Sequence, residues 1–154
     1  MTRGKVTGII ANLITIECDG PVGQNEICYI LHGDSRLMAE VIRIHGTTAQ
    51  AQVFESTRGV RPGIDVEFTG HMLEIDLGPG ILSRKYDGLQ MDLEKVDGVF
   101  LKRGFVADAL DPHENWDFKP IAKVGDSVKA ADWLGRVTEN WIDHKIMVPF
   151  SLKG

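Results

Sequence analysis

The sequence lacks the features by which a chain crosses a membrane or binds a phosphate backbone. No apolar run is long enough to span a bilayer, and the first residues, MTRGKVTGII, contain neither a sustained apolar stretch nor a small-residue cleavage site. We therefore expect a cytoplasmic chain with no direct membrane insertion. Seventeen Lys and Arg stand against twenty-two Asp and Glu, a formal net charge of -5 with the two signs interspersed. This balance excludes a basic stripe, so nucleic acid is not an expected partner.

Cysteine is also scarce. The chain has two, Cys18 and Cys28, ten residues apart on predicted strands. They do not have the close paired spacing of a zinc knuckle or a redox motif. We predict two reduced, half-buried thiols with no disulfide or metal role.

Phosphate-binding loops are missing from the sequence. No window fits Gly-x-x-x-x-Gly-Lys-Ser/Thr, whose amides and lysine cradle the phosphates of a nucleotide. The Gly-Pro-Gly at 78–80 is no substitute, because proline removes one of the amide donors that a phosphate cradle needs. We interpret 78–80 as a strand-exit turn.

Patterns for metal binding and nucleophilic catalysis are missing as well. The histidines at 32, 45, 71, 113 and 144 are scattered, with no HExxH arrangement, and Ser35, Ser56 and Ser83 lie outside any nucleophile-elbow pattern. The nearest polar cluster, 111–114 (DPHE), is interpreted as a solvated turn. We predict no catalytic, cofactor-binding or metal-binding residue in this chain.

The pattern of the first seventy residues predicts a series of short strands. Hydrophobic residues make up 43% of the chain, enough for a core. Alternation of apolar and polar residues is clearest at Ala49, Ala51 and Val53 and again at Ile64, Val66 and Phe68. The predicted strands are 5–10, 13–18, 26–31, 37–45, 48–55 and 64–69.

Glycine-containing turns at 19–21, 32–34 and 45–47 favour sequential antiparallel hairpins between these strands. Pattern alone leaves two architectures open, a closed barrel and an open sandwich. The barrel is the more economical, because closure removes exposed strand edges.

The residues after the predicted barrel have a different sequence pattern. Residues 122–128 and 132–137 have the strand rhythm of a barrel-sandwich hybrid, the fold of lipoyl and biotinyl carriers. In 143–145 (DHK), however, a histidine separates the Asp from the Lys, Lys145 falls later than carrier spacing allows, and little chain follows it. Before these strands, spacings of three and four predict one or two helical turns between Leu89 and Val96.

Several motifs resemble one family throughout the chain. Residues 77–82 (LGPGIL) and 86–90 (YDGLQ) resemble the segment after the N-terminal barrel of the catalytic A subunit of vacuolar/archaeal-type rotary ATPases and ATP synthases. The start, 4–6 (GKV), and the turn at 57–63 (TRGVRPG) are similar to that family's barrel.

Downstream motifs are similar to the same family. Residues 124–126 (VGD) and 144–149 (HKIMVP) resemble the "bulge" region that distinguishes the A subunit from its non-catalytic relatives. One departure is the Ala-Asn-Leu-Ile at 11–14, where the family often has Gly-Pro-Leu-Val.

The resemblance implies a mainly β chain in three parts. These are an antiparallel six- or seven-stranded N-terminal barrel over 1–72, a connector over 73–104, and part of a β-rich, barrel-sandwich-like bulge over 105–154. In the family a nucleotide-binding domain follows, so we expect this chain to be an N-terminal piece. The parent would be an enzyme that makes or hydrolyses ATP with Mg²⁺, coupled to H⁺ or Na⁺ transport.

The resemblance also implies partners. The barrel would contact B subunits of an A3B3 hexamer, and the bulge would contact the peripheral stator on the cytoplasmic side of a membrane-bound complex. The piece itself would be inactive scaffold with no cofactor. Two other classes stay open at this point, a lipoyl- or biotinyl-type carrier and a small RNA-associated barrel, and the acidic balance argues against the second.

Overall fold

The structure is a computed structural model that describes residues 1–96 and 108–152. The described chain divides into two compact units, one containing residues 1–74 and 96, the other containing residues 75–95 and 108–152. The division into 1–72, 73–104 and 105–154 stays a prediction.

The first unit is a closed barrel of six antiparallel strands. Its strands are β1 (Arg3–Ile10), β2 (Leu13–Cys18), β3 (Ile27–His32), β4 (Ser35–His45), β5 (Thr48–Val53) and β6 (Asp65–Phe68). Around the barrel their order is β1-β2-β5-β4-β3-β6, and β6 pairs back onto β1. The predicted antiparallel barrel is confirmed with the smaller of the two strand numbers, and the open sandwich is wrong. Closure leaves every strand with two paired neighbours.

The barrel core follows the alternation in the sequence. Val66 and Phe68 are fully buried, and Ile64 is partly buried against the same cluster. The remaining core side chains come from the other five strands, since each strand turns every second residue inward: Val6, Ile14, Ile16, Cys18, Cys28, Ile30, Leu37, Ala39, Val41, Ala49, Ala51 and Val53.

Both cysteines belong to this core. They are free thiols, but the prediction that they are half-buried is wrong, because Cys28 is fully buried and Cys18 only 9% exposed. Burial raises the pKa of the Cys28 thiol to about 12 and also raises the pKa of Cys18. Both therefore stay protonated at neutral pH and behave as small apolar side chains.

The turns at 32–34 and 45–47 form the predicted antiparallel hairpins. The hairpin predicted at 19–21 is wrong, because β2 pairs with β1 and β5, and β3 pairs with β4 and β6. Gly33 and Gly46 take φ values of +61° and +60° in the tight β3–β4 and β4–β5 turns, a conformation that glycine adopts without strain. In the β1–β2 turn, Ala11, the first residue of the 11–14 stretch that differs from the family pattern, also has a positive φ, +55°. Because Ala11 has a Cβ atom, this positive φ strains the backbone of the two-residue connection between β1 and β2.

The second unit contains a single turn of 3-10 helix (Leu93–Lys95) and a three-stranded antiparallel sheet. The strands are β7 (Phe118–Pro120), β8 (Trp133–Glu139) and β9 (Ile142–Met147), in the order β7-β8-β9. This sheet confirms the predicted second β-rich module, and β8 covers most of the predicted 132–137. The strand rhythm assigned to 122–128 is wrong, because those residues form a bend and turns and contain no strand. Within the described residues, no helix has the length and apolarity that crossing a bilayer requires.

The predicted amphipathic helix between Leu89 and Val96 is wrong apart from that 3-10 turn. The Asp87 carboxylate accepts the N–H groups of Leu89 and Met91, and the Asp92 carboxylate accepts that of Glu94. Side chains that bind nearby backbone amides compete with helical hydrogen bonding. The segment therefore forms successive turns.

Candidate functional site

The Gly-Pro-Gly motif forms a turn in the second unit. Gly80 has φ +97°, and Ser83 follows with φ +63°. A side chain on Gly78 would come within 3.0 Å of Leu110, so the motif also allows close packing. The chain before it, residues 72–77, has no strand, which corrects the interpretation of a strand exit. The motif shapes the backbone.

Gln90 fixes the chain that leads into this turn. Its Oε1 accepts the Asp76 N–H and its Nε2 donates to the Asp76 carbonyl, both at 2.6 Å. One side-chain amide thereby satisfies both backbone groups of a residue fourteen positions earlier, as a neighbouring strand would. This contact gives the glutamine of the YDGLQ motif a structural role.

A buried ion pair lies at the centre of the same segment. Asp92 is completely buried, and its Oδ2 accepts a 2.9 Å hydrogen bond from the Arg84 guanidinium. Arg84 also donates to the Gly80 carbonyl at 2.9 Å and lies 3.8 Å from the Glu114 carboxylate. Burial opposes ionisation of Asp92, but the hydrogen bonds from the Glu94 N–H and from Arg84 outweigh it and lower its pKa. The carboxylate is therefore ionised, and the pair organises the turn.

Tyr86 connects this segment to the chain beyond the gap in the described residues. Its hydroxyl donates to the Ala109 carbonyl at 2.8 Å. Burial is the main cause that raises the pKa of the phenol, with a further contribution from the Asp92 carboxylate. The phenol therefore stays protonated at neutral pH and acts as a donor.

Lys145 lies in the middle of β9 and not at a hairpin tip. Its Nζ stacks 3.7 Å above the centroid of the Trp133 ring on β8, a cation–π contact. The tip of the β8–β9 hairpin is formed by Asn140 and Trp141. A carrier lysine must be displayed at a tip to reach distant active sites, so the geometry contradicts the carrier hypothesis.

A second buried carboxylate joins the hairpin to the Gly-Pro-Gly turn. Glu139 is 6% exposed, its Oε1 accepts the Leu82 N–H at 3.1 Å, and its Oε2 lies 2.6 Å from Nε2 of His144. At 2.6 Å the His144 nitrogen is within hydrogen-bond distance of the carboxylate. The contact does not have hydrogen-bond geometry, however, so Oε2 of Glu139 and Nε2 of His144 are both buried without a hydrogen-bond partner, and only Oε1 is satisfied.

The other candidate side chains make separate local contacts, each within its own unit. In residues 111–114 the Asp111 carboxylate accepts the His113 N–H in an exposed turn, and His32 contacts the Gly59 carbonyl in the barrel. In residues 1–96 and 108–152 no group of three or more His, Cys, Asp or Glu side chains could hold a metal ion. The prediction of no catalytic, cofactor or metal residue stays a prediction.

Large apolar side chains are exposed in both units of the described chain. On the barrel, a β-bulge between Val41 and Arg43 leaves Ile42 40% exposed on β4. In the second unit Trp141 is 83% exposed at the hairpin tip. Large apolar groups presented to solvent are a common property of protein–protein contact surfaces.

Sequence reasoning missed the residues that hold the second unit together. Arg84 with Asp92, Gln90 with Asp76, and Glu139 with His144 all pair across turns whose geometry has no simple period. The one available signal was a charged or amide residue inside an otherwise apolar motif, and it did not indicate the partner.

Two family models match the chain in the order of its units. The ATP synthase alpha/beta family beta-barrel domain matches residues 6–70, and the ATPsynthase alpha/beta subunit barrel-sandwich domain matches residues 107–154. Together they match more than half of the sequence, and the chain belongs to the ATP synthase alpha/beta family.

Individual relatives agree with this assignment. The chain is 52% identical over 151 residues to the V-type ATP synthase alpha chain of Borrelia recurrentis, covering 96% of this chain and 26% of the relative. It is 47% identical over 156 residues to that of Treponema denticola, covering 99% of this chain and 26% of the relative. The chain thus spans about a quarter of the length of these relatives. The family resemblance is confirmed, and the carrier alternative is not supported.

Proposed function

We propose that this chain is the N-terminal part of the catalytic A (alpha) subunit of a rotary V/A-type ATP synthase. The whole subunit makes or hydrolyses ATP, coupled to H⁺ or Na⁺ transport across a membrane. The supporting observation is the order of two fold units, a closed barrel and then a three-stranded sheet module, within a sequence about half identical to V-type ATP synthase alpha chains over nearly all of this chain.

This part of the subunit acts as scaffold and contact surface. ATP, ADP and Mg²⁺ belong to the remainder of the parent subunit, because nucleotide binding and phosphoryl transfer need a phosphate loop, its lysine and the metal ion. The Gly-Pro-Gly turn supports this division: its carbonyl at Gly80 is bound by Arg84, and its shape is fixed by contacts inside its own unit.

The barrel contacts B subunits of an A3B3 hexamer. Ile42 supports this proposal, because the β-bulge turns an apolar side chain to solvent on β4. The bulge module contacts the peripheral stator, and the exposed Trp141 gives it an aromatic anchor of the type that dominates interface energies. The complex lies on the cytoplasmic side of its membrane.

Calorimetry and phosphate-release assays test the scaffold proposal on the full 154-residue chain. We expect no Mg-ATP binding in the micromolar range and no phosphate release above a buffer blank. Hydrolysis proportional to the concentration of purified chain, free of contaminating ATPase, would refute the proposal. In the reading frame beyond Gly154, a phosphate loop within about the next hundred codons is expected for the parent subunit.

Binding to the N-terminal domain of the matching B subunit tests the barrel surface. We expect the chain alone to be mainly monomeric or weakly associated, because a lone barrel offers a fraction of the hexamer's contact area. Ile42→Glu should weaken B-domain binding by at least tenfold, since a buried charge then opposes docking. Thr7→Glu is the matched control, because β1 lies three strands away from β4 around the six-stranded barrel. Equal affinities for both variants would place the contact elsewhere.

Stator binding tests the hairpin tip separately. Trp141→Ala should weaken binding of the stator subunits by about thirtyfold, as expected for an interface anchor. Ile121→Ala is the control, an exposed apolar residue outside the hairpin. Retention of full affinity by Trp141→Ala would remove the tip from the proposed contact.

A further inference from the structure

A groove in the second unit runs along the outer edge of β9, the edge that faces away from β8. Its volume is about 360 Å³, and its two walls are Leu77–Pro79 and residues 144–150. Side chains of a strand alternate between its two faces, so a groove against one face would be lined by every second residue. A consecutive run of lining residues indicates an edge instead. Because β8 pairs with the inner edge, the groove follows the outer one, which no strand within residues 1–96 and 108–152 occupies.

The two edges of the three-stranded sheet differ in how they are protected against further pairing. At one edge, β7 is three residues long and ends at Pro120, and both shortness and proline blunt a sheet edge. At the other edge, β9 has six residues, from Ile142 to Met147, with no proline or glycine among them. An edge of this length without such protection is a template for another strand.

The direction of the β9 backbone groups follows from the residue after the strand. The Val148 N–H bonds to the Asp132 carbonyl and therefore points to the β8 side. Successive residues of an antiparallel strand direct their N–H groups to opposite edges. The even-numbered positions of β9 therefore pair with β8, and the N–H groups of the odd-numbered positions point into the groove: Asp143, Lys145 and Met147.

The chain reverses direction directly after β9. The Leu152 N–H donates to the Pro149 carbonyl at 3.1 Å, the hydrogen bond that closes a β-turn. A chain that leaves this turn runs back beside β9, where the inner edge is taken by β8 and the groove is open. Phe150, within the turn and lining the groove, is 79% exposed. The turn thus directs the following residues toward an uncovered apolar surface.

The opposite wall, Leu77–Pro79, is suited to contact but not to strand pairing. Pro79 has no N–H, and the backbone groups of the preceding Asp76 are already bound by Gln90. Leu77, in contrast, is 75% exposed and apolar. An extended occupant would therefore pair its backbone with β9 on one side and pack side chains on Leu77 on the other.

We propose that the groove receives the residues that directly follow Gly154 in the parent subunit, which add a fourth strand antiparallel to β9. The inference rests on the proposed function, in which this chain is the N-terminal part of a longer subunit, and relatives of which it spans 26% support that length. A strand joined by a short turn pairs at little cost in loop-closure entropy. The added strand binds the outer-edge N–H groups of β9 and covers Leu77 and Phe150.

Hydrogen exchange tests the proposal by comparing the 154-residue chain with a chain extended by about twenty codons of its own reading frame, enough for a turn and one strand. In the extended chain the three outer-edge amides of β9 should gain about tenfold or more in protection, because their exchange then requires the added strand to detach. The amides of His144 and Ile146, which face β8, are the internal control and should change less. Equal exchange of the outer-edge amides in the two chains would overturn the proposal.

A second copy of the chain is the alternative occupant of the groove. Pairing between two β9 edges would protect the outer-edge amides in the 154-residue chain itself, and the protection would rise with protein concentration. That result would overturn the assignment to the following residues. We expect these amides to exchange at the same rate at all concentrations of the 154-residue chain.

A proline variant separates backbone pairing from apolar contact. Met147→Pro removes one outer-edge N–H and leaves the ladder with β8 intact, since proline is tolerated where the N–H faces away from the sheet. In the extended chain it should return the Lys145 amide to its exchange rate in the 154-residue chain. Met147→Ala is the matched control, because it loses the same side chain but keeps the N–H, and it should retain the protection. Protection at Ile146 reports that the hairpin remains folded, and full protection of Lys145 in a folded Met147→Pro variant would contradict strand addition.

The reading frame distinguishes failure of this inference from failure of the proposed function. A frame that continues into a phosphate loop but adds no protection on β9 overturns the strand addition alone. A frame that continues without a phosphate loop overturns the proposed function, whatever the exchange result. A stop codon directly after Gly154 overturns both.

Discussion

The guanidinium of Arg84 donates a 2.9 Å hydrogen bond to Asp92, a carboxylate that is completely withdrawn from solvent. Three further contacts surround the pair, to the Gly80 carbonyl, the Glu94 N–H and the Glu114 carboxylate. A buried charge whose partner is removed is far more costly than the pair itself is stabilising. The shape of this irregular segment therefore depends on the Arg84 charge balancing the buried Asp92 charge at its centre.

Removal of the arginine should destabilise the second unit strongly. Arg84→Met leaves the Asp92 charge buried without its partner, and we expect a loss of about 3 kcal/mol in the free energy of unfolding. Urea unfolding followed by tryptophan fluorescence measures this unit alone, because Trp116, Trp133 and Trp141 all lie in it. Arg136→Met, which breaks the half-exposed pair with Asp143, is the matched control and should cost less than about 1 kcal/mol. Equal losses in the two variants would contradict the prediction.

Acid should remove the contribution of Asp92. Its pKa is lowered in the folded chain, because hydrogen bonds from Glu94 and Arg84 outweigh the effect of burial. Such a group adds stability above its unfolded pKa of about 3.9 and loses that contribution as the pH falls through the folded value. The stability advantage of the wild type over Asp92→Asn should therefore shrink as the pH falls below about 5. A constant advantage from pH 7 to pH 3 would disagree with an ionised Asp92.

Phe68 should be indispensable to the barrel. It is fully buried on β6, so Phe68→Asp would bury a charge without a partner and should cost several kcal/mol. Thermal unfolding followed by circular dichroism measures the loss. Gln52→Asp, at an exposed position of β5 opposite Glu40, is the control. Its carboxylate stays solvated, so we expect a cost of no more than about 1 kcal/mol from the like-charge pair. If Phe68→Asp melts like the wild type, the inward direction assigned to Phe68 is wrong.

The β1–β2 turn offers a stabilising substitution. Ala11 is held at φ +55° by a hydrogen bond from the Thr57 hydroxyl to its carbonyl, and by one from the Val53 N–H to the Asn12 carbonyl. Ala11→Gly removes the steric cost of positive φ and should raise stability by about 0.5 kcal/mol after the greater chain entropy of glycine is subtracted.

The reciprocal change provides the control for that turn. Gly46 has φ +60° with no heavy atom within 4 Å of an added Cβ, so Gly46→Ala introduces strain without a clash. It should lower stability by about 1 kcal/mol. Opposite signs for the two substitutions are expected in chemical denaturation, and the same sign for both would disprove the strain argument.

Lys145 should remain unmodified. It lies within a strand and stacks on Trp133, and neither position suits a lipoyl or biotinyl attachment site. After co-expression with a lipoyl or biotin ligase, the intact mass should equal that of the unmodified chain. A mass increase matching either cofactor, absent in Lys145→Arg, would restore the carrier hypothesis.

Prediction from sequence succeeded for the strands, in which the direction of the side chains repeats every two residues. The strands of the barrel alternate inward and outward residues, so Ala49, Ala51 and Val53 could be assigned to the core from their spacing alone. The strands found in the structure lie within a few residues of the predicted ones. Burial of Cys28 was underestimated, because the depth of a strand position depends on how the barrel closes.

Prediction failed where side chains, and not the backbone groups of a helix or sheet, make the hydrogen bonds to the backbone. Apolar spacings of three and four predicted helical turns between Leu89 and Val96. In the structure the carboxylates of Asp87 and Asp92 accept nearby backbone amides instead, and the segment forms turns. The partners of Arg84 and Gln90 lie eight residues ahead and fourteen residues back, beyond the three- and four-residue neighbours that a local pattern can indicate. Such contacts follow from the path of the chain and are not visible in local spacing.

The pairing of β1 with β6 closes the barrel, and it can form only after the other strands have been synthesised. Lys5 lies opposite Asp65 in the ladder that closes the barrel, and their side chains form a 2.6 Å ion pair. During translation β1 can pair with β2 early, but its other edge stays open until β6 has left the ribosome. This long-range pairing adds loop-closure entropy to the barrier and slows the last step. The nascent barrel is therefore most exposed to aggregation after β5 and before β6 has left the ribosome, and a pause in synthesis during that interval would leave an open sheet edge for chaperones to protect.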